Sequence, residues 1–460
     1  MNMKRIMIAA PCSGSGKTCL TVALLRNLKK RGIKVFSVKS GPDYIDPLFH
    51  RTISGVDAYN LDSFFSDGKT NVNLLKADSA GKDFAVMEGV MGLFDGIGGV
   101  MEEGSSYLLA KETKTPVILV INAKGVGKTL AAQIAGMKMY DDGGLIRGVI
   151  LNRVSEKYYD TLKACMEQET GIPVLGFLPE RKDAKLSSRH LGLVTPDETV
   201  DLQRIVDTLS DEFERHVDLD SIIRIAEEAG ELPATGEEEI YDASAGTEKR
   251  CVIAVSKDEA FQFLYEENLR MLRNSGAEIR FFSPLHDESI PNDADALILC
   301  GGYPELYVEK LCKNTSMKAC IRKAFEDGMP VIAECGGFLY LHKQIGDLDG
   351  NFYEGVGIID AECRYTPKSI RFGYIEIQEK NTNFLSPGDK IKGHEFHYYE
   401  SSSNGNDCRA VKPFDGTVYE CIHNRENSWI GFPHLYYPSN SDFAKAVIEK
   451  AVAYHNGRER

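Results

Sequence analysis

The sequence contains no apolar run approaching the ~18–20 residues of a membrane span, which excludes a helical membrane protein. No CxxC pair occurs among its 11 cysteines. They are scattered, and several sit inside apolar runs such as Ala296-Leu-Ile-Leu-Cys300. That usage excludes a disulfide framework, carries no zinc signature and fits a reducing cytoplasm. There is no basic surplus either: 54 Lys and Arg face 68 Asp and Glu, a formal charge of −14. A broadly basic nucleic-acid surface is therefore excluded, because phosphate attraction needs one. No fixed-period repeat is present, which argues against a solenoid or propeller. The opening Met1-Asn-Met-Lys-Arg-Ile-Met-Ile-Ala-Ala10 is too short in its apolar part for a secretory signal and reads as a first β-strand. Location in the cytoplasm is the expectation, and the sequence is silent on oligomeric state.

What is present is a 460-residue chain, 43% hydrophobic and 27% charged, the mix of a globular protein. Short β-rich apolar runs at 5–9, 34–38, 84–88, 116–121, 148–151 and 173–177 alternate with helical stretches such as 18–31. Near-continuous apolar strands joined by helices predict a parallel sheet covered on both faces. Residues 211–250 change character, with 13 acidic against 4 basic residues. Their later part lacks hydrophobic periodicity and reads as an acidic linker over 231–249. The β/α alternation then restarts, with strands at 251–255, 278–282, 296–300 and 330–334 and a helix at 261–274. A β-leaning part follows from about 352 to 437, and a helix closes the chain from 441 to about 455. The expected fold class is α/β with two domains, 1–230 and 250–460.

Pro11-Cys-Ser-Gly-Ser-Gly-Lys-Thr18 follows a strand and opens a helix. It matches G-x-x-x-x-G-K-[ST] except at Pro11, which stands where the first glycine belongs. The amides around Gly14, Ser15 and Gly16 would cradle phosphates, Lys17 would reach the outer phosphates, and Thr18 would help hold Mg²⁺. A second Gly127-Lys-Thr129 has Asn122 in place of the first glycine and reads as a helix-start loop beside the nucleotide. Glu88 ends one strand; Lys39, Asp43, Tyr44 and Asp46 follow the end of another. Ligands of open α/β sheets bind at those ends. Hard oxygen donors suit Mg²⁺, so Thr18, Asp43 and Glu88 are candidate metal ligands, against the alternative that the carboxylates only cap turns. Lys39 could hold an anionic substrate or simply be solvated.

Cys335 comes directly after an apolar strand and before Gly336-Gly337 and a helix, the pattern of a nucleophile elbow. A helix N-terminus favours thiolate. A second strand end, Cys300-Gly-Gly-Tyr-Pro-Glu305, could supply the Gly302 amide to an oxyanion hole shared with Gly336. His434 is the candidate base. His394 and His397 in Gly393-His-Glu-Phe-His-Tyr398 lie three apart on a strand, so joint zinc ligation is not expected, and structural and substrate-contact roles stay open.

These motifs together resemble the cobyrinate a,c-diamide synthase family, glutamine amidotransferases of corrinoid biosynthesis. The resemblance runs over nearly the whole chain. It rests on Ser13-Gly-Ser-Gly-Lys-Thr18, Gly41-Pro-Asp-Tyr-Ile-Asp-Pro47, Met87-Glu-Gly-Val-Met-Gly-Leu-Phe-Asp95, Gly148-Val-Ile-Leu-Asn-Arg-Val154, Arg189-His-Leu-Gly-Leu-Val194, Cys300-Gly-Gly-Tyr-Pro-Glu305, Ala333-Glu-Cys-Gly-Gly337 and Gly393-His-Glu-Phe-His-Tyr398. It implies a dethiobiotin-synthetase-like ATP domain followed by a class I glutaminase-like domain, with Cys335 as nucleophile and His434 as base. It further implies ATP, L-glutamine and cobyrinate or a related tetrapyrrole as substrates, with Mg²⁺ as cofactor and no nucleic-acid or membrane partner. Asn152 is similar in position to residues that read the nucleotide base. Ordinary class I glutaminases carry Glu two residues after the histidine; here Tyr436 stands there, so what orients His434 is open. The rival readings are the same amidation on hydrogenobyrinate or nickel-sirohydrochlorin, a cobyric acid synthase, and, from another class, a deviant phosphate-loop ATPase switch. That switch would want a lysine where Cys12 stands.

Overall fold

The computed structural model describes residues 3–181, 196–235 and 249–458, with backbone alone for 196–200. Most of the linker expected at 231–249 and the whole Arg189-His-Leu-Gly-Leu-Val194 motif lie outside the described residues. The chain divides into two compact units, Met1–Glu238 and Glu239–Arg460.

The first unit is built on seven parallel strands: β1 (Lys4–Ala9), β2 (Val35–Ser40), β3 (Ala58–Leu61), β4 (Phe84–Glu88), β5 (Val117–Asn122), β6 (Ile146–Asn152) and β7 (Val174–Leu178). Their order is β3-β2-β4-β1-β5-β6-β7. β1, β2 and β4 are buried along nearly their whole length, which is why they read as continuous apolar runs. β3 is the strand the sequence pattern did not announce. Ala58-Tyr-Asn-Leu61 is short and interrupted by Asn60, whose buried amide donates to the carbonyls of Gly41 and Asp43. Helix α1 (Lys17–Lys30) starts at Gly16, whose φ of 103° is a left-handed geometry that favours glycine. Its buried Leu24 and Leu28 join Val206, Leu209 and Phe213 of the helix Pro196–His216 in one core. β1, β2 and β4 are neighbours, so their carboxyl ends set the phosphate loop, Lys39 and Glu88 side by side; Lys39 and Glu88 are register partners.

The second unit has a six-stranded sheet in the order Ala277–Phe282, Cys251–Ser256, Ala296–Leu299, Val331–Glu334, Ser428–Gly431, His423–Arg425. All its pairs are parallel except the last. An antiparallel five-stranded sheet includes Arg371–Glu379, Lys390–His397 and His434–Leu435. The helix expected from 261 begins only at Glu266. Phe261–Phe263 is instead a short strand paired antiparallel with Gly301–Gly302. Asp258 accepts from the amides of Ala260 and Phe261, and this local turn competes with helix initiation.

Candidate functional site

In the first unit the phosphate loop closes on itself. Lys17 is buried, and its Nζ donates to the carbonyls of Met91 at 2.5 Å and Cys12 at 3.3 Å. Burial, with Lys39 nearby, lowers its pKa. Thr18 Oγ1 donates to Glu88 Oε1 at 2.7 Å. Asn152, at the end of β6, donates from Nδ2 to the Ser15 carbonyl at 2.8 Å. A Cβ on Gly16 would overlap that amide, so the glycine is also a steric requirement. Ser15 Oγ donates back to the Cys12 carbonyl at 3.0 Å.

Lys39 is not solvated. It is fully enclosed among carboxylates, bonded to Asp46, 3.1 Å from Glu88 Oε1 and 4.0 Å from Asp43 Oδ2. Burial disfavours its charge, but Asp46, Glu88 and Asp43 outweigh that and raise its pKa. Burial likewise works against an ionised Glu88; Lys39, His50 and Thr18 overcome it and hold that carboxyl ionised. Asp46 goes the other way, raised by burial and by the neighbouring carboxylates against the pull of Lys39. His50, which no sequence signal marked, anchors the far side: its Nδ1 is 3.0 Å from Ser37 Oγ, and its Nε2 is 3.3 Å from Glu88 Oε2. Asp43 Oδ1 accepts from the amides of Ile45 and Asp46 and so does cap the following turn, while the carboxylate stays near Lys39. Tyr44 is buried beside it. Among the described residues no group of three His, Cys, Asp or Glu side chains forms a metal site. The oxygen set of Thr18, Glu88 and Asp43 still fits a hard ion that draws its remaining ligands from phosphate and water.

The second Gly-Lys-Thr forms no phosphate loop. Lys128 is exposed and paired with Glu169. Its loop, residues 123–127, lines a groove of about 720 Å³ with Arg153, Tyr158 and Pro179, beyond the end of β6 from Asn152.

In the second unit Cys335 has φ 45° and ψ −100°, a strained geometry for a residue with a side chain. It is held by its amide, which donates to the Gly431 carbonyl at 2.9 Å. A Cβ on Gly337 would overlap the Leu299 carbonyl, and one on Gly336 would sit 2.9 Å from the Gly302 nitrogen. The two Gly-Gly strand ends therefore interlock, bringing Gly302 and Gly336 together. His434 pairs in register with His394, and its ring lies where a Gly301 side chain would be. Burial opposes charge on His434, yet the neighbouring Cys335 and Glu334 side chains, Cys335 foremost, raise its pKa to about 10. His394 and His397 are both buried, lowered to about 3 and about 4 by burial. His397 stacks on Phe432, and its Nδ1 lies 2.7 Å from the Tyr399 carbonyl.

Comparison with known proteins agrees with this division. Residues 6–194 match the CobQ/CobB/MinD/ParA nucleotide-binding domain, and residues 252–436 match the CobB/CobQ-like glutamine amidotransferase domain. A cobyrinate a,c-diamide synthase of Listeria monocytogenes serotype 4b is 37% identical over 446 residues, 95% of this chain and 97% of its own. The chain belongs to the cobyrinate a,c-diamide synthase family. A Thermoplasma volcanium member is 39% identical over the full length of both chains, and one from Thermoplasma acidophilum is 43% identical over 86% of this chain and 88% of its own. As a member of this family the chain is a ligase with an ATP-binding domain and a glutamine amidotransferase domain. An ATPase switch would leave residues 252–436 without a use. Among the described residues no helix is long and apolar enough to cross a membrane. All eleven cysteines are free thiols.

Proposed function

We propose that residues 1–230 activate carboxylates with ATP, that residues 250–460 release ammonia from L-glutamine, and that the acidic stretch 231–249 links them. The substrate is cobyrinate, amidated at its a and c side chains. The supporting observation is the presence in one chain of a phosphate loop bonded to an ionised Glu88 and of a strained cysteine beside His434. A carboxylate resists ammonia at neutral pH because hydroxide is a poor leaving group. Transfer of a phosphoryl group converts it to an acyl phosphate. Lys17 and the amides of Gly14, Ser15 and Gly16 stabilise the charge that develops on the transferring group. Mg²⁺, which Thr18 and Glu88 would hold with Asp43 in reach, would neutralise phosphate charge further. Asn152 borders the groove suited to the nucleotide base. Lys39, fixed by Asp46, with Tyr44 beside it, offers a cation to the substrate carboxylate.

In the second unit the Cys335 thiolate attacks the carboxamide carbon of glutamine. Carbon–sulfur bond formation gives a tetrahedral oxyanion, which the amides of Gly302 and Gly336 would receive. The carbon–nitrogen bond breaks as the His434 imidazolium passes its proton to the leaving nitrogen, and ammonia departs. Water then hydrolyses the thioester to glutamate and restores the thiol. The free thiols and buried apolar surface suit a reducing cytoplasm.

Cys335→Ala is expected to lose glutamine-dependent amidation and keep ammonium-dependent amidation, whereas Lys17→Ala loses both. Mass spectrometry of the tetrapyrrole after incubation with ATP and either nitrogen source reads the outcome. A product two amides richer from cobyrinate alone identifies the substrate; equal conversion of hydrogenobyrinate or nickel-sirohydrochlorin would overturn that choice. Survival of glutamine-dependent product in Cys335→Ala would remove the nucleophile assignment.

A further inference from the structure

The histidine of a cysteine–histidine pair works only if something fixes its ring and supports its charge. Tyr436 stands where a class I glutaminase would carry that carboxylate, and it is fully buried against Tyr265. The carboxylate nearest His434 is instead Glu334, the residue directly before the nucleophile. Its Oε2 lies 3.7 Å from His434 Nδ1, and its Oε1 accepts the Leu435 amide at 3.3 Å. Both side chains are more than nine-tenths buried. The strand Val331–Glu334 pairs in register with Ser428–Gly431, and the His434–Leu435 segment follows three residues after that strand ends. The sheet thus brings the last residue of one strand against a histidine about 100 positions later.

We infer that Glu334 is the positioning residue of the glutaminase centre: its carboxylate holds the His434 Nδ1–H, fixes the tautomer with Nε2 toward Cys335, and supports the imidazolium that protonates the leaving ammonia. This deepens the glutaminase reading above and rests on it. The chain puts the third member of the triad before the nucleophile, on the same strand, where an ordinary class I enzyme puts it after the histidine.

The other groups around the ring leave this role to Glu334. His394 faces His434 across the antiparallel pair and is neutral at physiological pH, as is His397. Cys300, on the neighbouring strand end, is pushed up to about 12 by burial, and Tyr437 is raised by burial and by Glu334 itself, so neither carries charge. The 3.7 Å separation is longer than a tight hydrogen bond, as such contacts often are before substrate closes the site. The ring has little room to turn away, because Gly301 packs directly against it.

The test is Glu334→Gln in the full-length protein. Glutamine keeps the length of the side chain and an acceptor for the Leu435 amide, but loses the charge. Glutamine hydrolysis, followed as ammonia release without tetrapyrrole, should fall about 10–100-fold in kcat. The alkaline limb of its kcat/KM profile should move down by about one pH unit or more. Glu334→Asp should recover part of both effects, and ammonium-dependent amidation should stay at the wild-type level. Alkylation of Cys335 by iodoacetamide, read at the Cys335 peptide across pH, should show the limb of thiolate formation displaced upward, because the imidazolium that favours thiolate is less stable. In a His434→Ala background Glu334→Gln should displace nothing further. An unshifted alkylation profile, or an equal shift without His434, overturns the inference. Absence of glutamine hydrolysis in the wild type would instead overturn the glutaminase reading, and the alkylation profiles would still decide the role of Glu334.

Discussion

Lys39 shows how far a residue's meaning depends on its neighbours. Its sequence context allowed a solvated side chain, yet it is bonded to Asp46 and Glu88 in a buried cluster. Buried charges persist only when paired, and removing one partner leaves the others uncompensated. Lys39→Met is expected to destabilise the first unit by about 3–5 kcal/mol, read as a lower denaturant midpoint, and to abolish ATP-dependent amidation with either nitrogen source. Gly301 is the corresponding residue in the second unit. A methyl there overlaps the His434 ring, and a displacement of about 1 Å costs about 100-fold in rate. Gly301→Ala should therefore lose glutamine hydrolysis by about that factor while ammonium still supports amidation. His434 also ties stability to pH. Its folded pKa is raised above the unfolded value, so its contribution is complete below the ordinary imidazole range and disappears as pH rises through about 10.

At the scale of elements, the strands that carry the chemistry were legible because they are buried on both faces. The runs at 5–9, 84–88 and 330–334 lie within one residue of the strands Lys4–Ala9, Phe84–Glu88 and Val331–Glu334. β3 escaped because Asn60 breaks its apolar run, and 261–274 misread as one helix because the Asp258 turn lies outside the periodic pattern. The glycines around Cys335 and Gly16 were legible as loops, but their reasons are spatial: which carbonyl, amide or ring occupies the space of the missing side chain. The roles of His50 and Glu334 gave no signal, since each acts on a residue distant in sequence. Asn152 joins the end of β6 to the phosphate loop through Ser15. Asn152→Ala should free that loop and raise the KM for ATP about 10-fold, with glutamine hydrolysis unaffected; steady-state kinetics with varied ATP measures it.

Over the whole molecule, the charge of −14 is a sum of unlike parts. Residues 1–40 contain nine Lys and Arg and no Asp or Glu, while residues 211–250 carry 13 acidic and 4 basic residues. An acidic average thus coexists with a phosphate site. Each unit has its own sheets and its own apolar core. A ligand that binds one unit should stabilise that unit: ATP with Mg²⁺ at about 100 times its Kd contributes about 2.7 kcal/mol to the first. Calorimetry should show the transition assigned to the first unit rising with ATP while the other stays in place; a rise of both by the same amount would count against separable units.

The burial of the thiols also decides how this chain would meet a covalent inhibitor. Cys251 and Cys312 are pushed up to about 11 and Cys300 to about 12, and Cys363, Cys408 and Cys421 are raised as well, all chiefly by burial. Six of the eleven thiols thereby hold their protons and are poor targets for an electrophile. Cys335, beside the raised imidazole of His434, is the address a glutamine-shaped warhead would find. Cys12 is exposed at the mouth of the phosphate loop, where bound nucleotide would cover it. Reagent shape and ATP occupancy together would let one half of the chemistry be silenced without the other.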